Sequence, residues 1–94
     1  MSQSPLAFAL TRSSHPRSAE ERAKILANPG FGVHFTDHMV GVRWDKEAGW
    51  HGAAVTPYGP ISLDPAAAVL HYGQEIFEGI KAYRHADGSV WTFR

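Results

Sequence analysis

What most restricts this chain is its punctuation. Asn28-Pro29-Gly30, Thr56-Pro57-Tyr58-Gly59-Pro60, Gly73 and Asp87-Gly88 interrupt it at short intervals. Proline fixes one backbone dihedral and removes an N–H, and glycine frees the backbone, so such positions end helices and turn chains. Only short elements fit between them. Ser18-Ala19-Glu20-Glu21 has the S-x-x-E spacing of a capping box, which predicts a short helix ending near Asn28. Its apolar residues, Ala23, Ile25, Leu26 and Ala27, are few, so it packs weakly. Residues 1–17 lack periodicity and read as a loosely ordered arm.

Beyond residue 30 the character changes. Met39 to Trp44 has the β-branched and aromatic content of a strand. Asp45 to Gly49 is a polar turn, and Trp50 to Val55 begins a strand returning along the first. Asp64-Pro65 suits a helix start, with Asp as cap and Pro in the first helical position. Ala66 to Leu70 continues that helix and Gly73 breaks it. Strand-like runs at Ile76–Arg84 and Ser89–Phe93 flank His85-Ala86-Asp87-Gly88, and Asp-Gly between such runs signals a hairpin. The expected class is α+β: antiparallel strands and a hairpin with short helices. A hairpin strand at the end of the chain leaves an open edge, which predicts an incomplete domain.

Charge and composition exclude several roles. Lys plus Arg number 9 and Asp plus Glu number 9, so the formal net charge is zero. That balance offers no attraction for nucleic acid or an anionic membrane, and neither is expected as a partner. With no cysteine there is no disulfide or thiolate metal site. No apolar run approaches the ~20 residues of a membrane span, and the first ten residues lack the basic start of a secretory signal. A cytoplasmic location is expected. A chain of 94 residues forms one small domain at most, with a marginal core.

The residues alone carry little chemistry. His34 and His38 are four apart, but no third ligand lies at a convincing spacing, so no metal site is expected. Asp37-His38 has the carboxylate–imidazole order of a triad, but no nucleophile stands in an elbow context, and structural hydrogen bonding is the better reading. Glu75 and Glu78, three apart on a strand, would face opposite sides. The glycines form neither G-x-G-x-x-G nor a P-loop. The aromatics cluster beyond residue 30 and read as core or as an apolar pocket; composition does not separate the two.

Three segments go further. Phe31-Gly-Val-His-Phe-Thr-Asp-His-Met39 resembles the F-G-x-x-F-T-D-H-M segment of branched-chain aminotransferases. Leu63-Asp-Pro-Ala66, leading into Leu70-His-Tyr-Gly-Gln-Glu-Ile-Phe-Glu-Gly-Ile-Lys-Ala-Tyr83, resembles that family's L-H-Y and F-E-G-x-K-A stretch. Ser89-Val-Trp-Thr-Phe-Arg94 resembles its hairpin strand ending in F-R-P. The likeness runs from about residue 28 to the end, in order and with matching spacing. Thr-Asp-His-Met separates it from D-amino-acid aminotransferases and aminodeoxychorismate lyases of the same fold group.

The resemblance implies amino-group transfer between leucine, isoleucine or valine and 2-oxoglutarate. The implied cofactor is pyridoxal phosphate, held by a lysine that also moves the proton. It implies a homodimer or larger assembly, with this chain as the small N-terminal α/β domain of a fold-type IV enzyme. Residues 1–28 are then an arm and short helix, residues 29–94 are part of the small domain, and the large lysine-bearing domain is absent. Phe31, Tyr72 and Phe77 match positions lining the substrate side-chain pocket, with Tyr72 contributed by the neighbouring subunit. Gly79 matches a glycine beside that pocket. Lys24 and Lys46 have no catalytic counterpart, and Lys81 matches a structural position. Arg94 matches the arginine of F-R-P, not the cofactor-phosphate arginine. No catalytic or cofactor ligand is therefore expected in these residues, and the piece alone is expected to be inactive. The competing expectation is a free-standing, non-enzymatic interaction domain that keeps the fold.

Overall fold

The computed structural model describes residues 6–92. It divides into two compact units, one ending at Ile61 and one beginning at Ser62. In the first unit the elements are β1 (Ala9–Leu10), α1 (Ala19–Ala27), β2 (His38–Asp45) and β3 (Gly49–Pro57). In the second they are α2 (Ala68–Tyr72), β4 (Ala82–Arg84) and β5 (Val90–Thr92).

Helix α1 starts where the capping box places it. The Ser18 hydroxyl accepts the Glu21 N–H at 3.1 Å, satisfying one of the free donors of the first turn. Glu20 and Glu21 lie at the positive end of the helix and Lys24 near the negative end, both favourable to the dipole. No residue of α1 is buried, as its thin apolar content predicts.

Strands β2 and β3 pair antiparallel, from His38 opposite Pro57 to Asp45 opposite Gly49. The turn between them is held by the Asp45 carboxylate, whose Oδ1 accepts the N–H groups of Glu47 at 2.9 Å and Ala48 at 2.6 Å. The register slips between Gly41 and Arg43, whose partners are Ala54 and His51. The extra residue therefore sits on β3, where Gly52 has φ +63, a left-handed conformation suited to a bulge. Ala53, beside it, is the one buried hydrophobic residue among those described.

The arm carries an element that lacks any local signal. β1 lies parallel to β3, Ala9 beside Ala54 and Leu10 beside Val55, giving the order β1-β3-β2. The Thr11 N–H extends the ladder to the Val55 carbonyl at 2.9 Å. Strand β3 has a free edge on the side away from β2, and the arm fills it.

Two expectations in the second unit are corrected. Asp64 does not cap a helix at Pro65; its carboxylate accepts the Ala66 N–H at 2.7 Å and its carbonyl the Ala67 N–H at 2.9 Å. These bonds form a turn over Pro65, and α2 begins only at Ala68, after an N-cap without a side-chain bond. Nor is Ile76–Arg84 one strand. Only Ala82–Arg84 pairs, with Val90–Thr92, because a strand persists only as far as its partner satisfies its backbone groups. The Asp87-Gly88 hairpin and the helix end at Gly73 (φ +59) stand as expected. Phe93 and Arg94 lie outside the described residues.

Candidate functional site

In the first unit, Phe31 lies in the loop between α1 and β2 and is 90% exposed. In the second, Tyr72 ends α2 and is 85% exposed, and Phe77 lies in the irregular stretch before β4 at 92% exposed. Gly79 lies two residues further on, and a Cβ built there would meet nothing within 4 Å. None of the three aromatics packs as core among the described residues, although core packing was the ordinary alternative for each. Their exposure is shared by most of the large apolar residues described, Leu26, Ile61 and Ile76 among them.

Among the described residues, cavities form within each unit. The first unit has one of about 510 Å³, walled by the α1 residues Ile25 and Leu26 and by Phe35 and Tyr58, with Arg17 and Arg22 at its rim. Phe35 and Tyr58 stack with ring centroids 5.7 Å apart and planes 9° from parallel. The second unit has one of about 330 Å³ between Tyr83, His85 and Trp91, where His85 meets Trp91 edge-on at 6.3 Å. A third, of about 430 Å³, is lined by Gly79, Ile80, Lys81 and Tyr83. Phe31, Tyr72 and Phe77 line none of these three.

The polar residues of the Thr-Asp-His-Met segment serve as hydrogen-bond partners. Asp37 takes an ion pair from Arg17 at 3.2 Å, and His38 Nε2 accepts the Ser13 N–H at 2.9 Å. Asp37 thus pairs with an arginine instead of orienting His38. Among the described residues no group of three or more His, Cys, Asp or Glu could hold a metal ion. Glu75 and Glu78 lie outside any regular element, so the strand-face argument does not apply to them. The Arg17–Asp37 tie escaped sequence reading, since 20 residues separate its partners and no local pattern links them.

Pyridoxal phosphate requires an amine in a shielded place beside donors for its phosphate. Lys24 is on the last turn of α1, Lys46 in the β2–β3 turn and Lys81 before β4, and all three are exposed. The described residues therefore do not fit that cofactor, and no chemical step is assigned to them.

Antiparallel strands with a few short helices, bearing outward-facing aromatics, are consistent with an aminotransferase N-terminal domain. No family-level sequence profile matches the chain. It is 66% identical over 85 residues, 90% of its length, to the probable branched-chain-amino-acid aminotransferase of Streptomyces coelicolor. It is 57% identical over all 94 residues to the branched-chain-amino-acid aminotransferase of Mycolicibacterium smegmatis and 52% identical to that of Mycobacterium tuberculosis. Over essentially its whole length this chain is similar in sequence to branched-chain-amino-acid aminotransferases. It spans about a quarter of the length of these curated relatives. The comparisons do not favour the free-standing interaction domain. No helix among the described residues is long and apolar enough to cross a membrane.

Proposed function

We propose that these residues are the substrate-wall segment of a branched-chain aminotransferase, which transfers the amino group of leucine, isoleucine or valine to 2-oxoglutarate. The observation that carries this reading is the identity of 52–66% along the chain to proteins of that name. The order and spacing of the matching segments support it. By the resemblance, Phe31, Tyr72 and Phe77 each match a position of the side-chain pocket, and Gly79 matches a position beside it. Branched aliphatic side chains need such a wall, and each methylene removed from water contributes about 0.8 kcal/mol. Rigid rings supply the contact with little loss of rotamer freedom.

In this proposal residues 1–28 are an arm and helix, and residues 29–94 belong to the small domain of a fold-type IV enzyme. The lysine-bearing large domain lies outside these 94 residues, and pyridoxal phosphate, bound there, supplies the electron sink for the transfer. The complete protein is a cytoplasmic homo-oligomer in which Tyr72 reaches the neighbouring subunit's pocket. The 94 residues alone are inactive.

The test compares the full-length protein containing this segment with the segment alone. Glutamate formed from 2-oxoglutarate is measured with leucine, isoleucine, valine and alanine as donors. The full-length protein should form glutamate with the three branched donors at rates well above alanine, and the segment should form none. Absence of branched-donor turnover in the full-length protein would overturn the proposal.

A further inference from the structure

Phe31 stands in a stretch of chain whose two ends are tied to each other. The Arg17 N–H donates to Asp37 Oδ2 at 3.3 Å. Arg17 Nη1 donates to Asp37 Oδ1 at 3.2 Å and to the Phe35 carbonyl at 2.6 Å. Four residues before Arg17 and one after Asp37, the Ser13 N–H and His38 Nε2 add a further bond between arm and strand. Asp37 is itself anchored, because its carbonyl accepts the Tyr58 N–H at 3.0 Å just past β3.

Between the ties the chain runs through α1 to a Phe31 flanked by two glycines, so the closure of the two ends is what limits the ring. Arg17 leads directly into Ser18, the cap of α1, so fixing Arg17 fixes the start of the helix. The helix ends at Asn28, whose N–H bonds to the Ile25 carbonyl at 3.1 Å. Phe31 then sits between Gly30 at φ +66 and Gly32 at φ +69, both in the left-handed region that side-chain-bearing residues rarely adopt. The ring is 90% exposed at the end of this path.

We propose that Arg17 and Asp37 are positioning residues: their closure sets where Phe31 stands as a wall of the apolar substrate pocket. The proposal rests on the aminotransferase reading above. Without the ties, α1 and the residues from Asn28 to Thr36 would be joined to β2 at one end only, leaving the ring many placements and its ordering to substrate binding. The arginine fork makes the closure directional, because one guanidinium nitrogen bonds a carboxylate and a backbone carbonyl together while the backbone N–H takes the second carboxylate oxygen. The side chains of Arg17 and Asp37 are 34% and 20% exposed, so this pair is less screened than an open surface pair.

The test uses the full-length protein with Arg17→Ala, Arg17→Lys, Phe31→Ala and the Arg17→Ala/Phe31→Ala double variant. Arg17→Ala should raise KM for leucine about three- to tenfold, with a smaller change in kcat and little change for alanine, whose side chain barely reaches the wall. In the Phe31→Ala background the same substitution should add nothing to the leucine KM, because Arg17 acts through Phe31. Amide exchange should quicken over residues 30–36 in Arg17→Ala and stay unchanged over 39–56, with Arg17→Lys intermediate. Full additivity with Phe31→Ala, an equal loss for leucine and alanine, or exchange that quickens throughout β2 and β3 would overturn the proposal in favour of a purely stabilising pair. Failure of the unaltered protein to use leucine would sink the aminotransferase reading on its own; the exchange pattern would still decide whether the closure holds this stretch. If Arg17→Ala does not fold, Arg17→Lys carries the same comparison.

Discussion

Replacing Phe77 by Ala separates a pocket wall from a core residue, because the two roles differ in where the cost appears. Phe77 is 92% exposed, so only about a twelfth of its surface is covered by the described chain. An aromatic side chain has roughly 200 Å² to bury, so the covered part is on the order of 16 Å². At about 25 cal/mol per Å² that amounts to ~0.4 kcal/mol. A core phenylalanine truncated to alanine would instead cost about 3–5 kcal/mol. Urea unfolding of the 94-residue chain should therefore show a change within about 0.5 kcal/mol. In the full-length protein kcat/KM for leucine should fall roughly 10- to 200-fold, the range expected when an apolar pocket loses contact with a methylene or more. Alanine as donor should be far less affected. A loss of 2 kcal/mol or more in the chain, or a fall in thermal midpoint that accounts for the lost activity, would refute the reasoning and make Phe77 a packing residue.

Two further expectations concern the scaffold. Ser18→Ala removes the acceptor of the Glu21 N–H and should cost α1 about 1 kcal/mol, read as faster amide exchange at Glu21 and Arg22 with β2 and β3 unaffected. Asp87 has its carboxyl held below the ordinary value of 3.8, first by the Ser89 hydroxyl and then by the Ser89 N–H. A depressed folded value means that the ionised form stabilises the hairpin above the ordinary carboxylate range. That contribution is lost as pH falls through the lowered value. Trp91 Nε1 donates to the same Ser89 hydroxyl at 2.9 Å, so its indole proton resonance should shift on acidification, and Ser89→Ala should abolish the shift.

Local chemistry made much of this scaffold readable before any coordinates. The Ser18 cap, the Asp45–Gly49 turn and the Asp87-Gly88 hairpin each depend on groups within a few residues of one another, and each stands where the pattern placed it. Asp64 shows the limit of such patterns: the same carboxylate that can cap a helix can close a turn, and only its bond to Ala66 decides between them. The pairing of Ala9 and Leu10 with β3 depends on which strand edge is free, and the bulge at Gly52 on how two strands meet. Neither has a local signature.

The site divides in the same way. Residue identity and order marked Phe31, Tyr72, Phe77 and Gly79 through their likeness to a known family. Whether those aromatics lie in a core or face outward depends on what the rest of the chain covers, and the tertiary structure leaves all three exposed. In the sequence Arg17 is only the last residue of the arm, with nothing to mark it. Its reach across 20 residues to Asp37 exists only once α1 and β2 have brought the two together, since an ion pair has no period and no motif, only a distance.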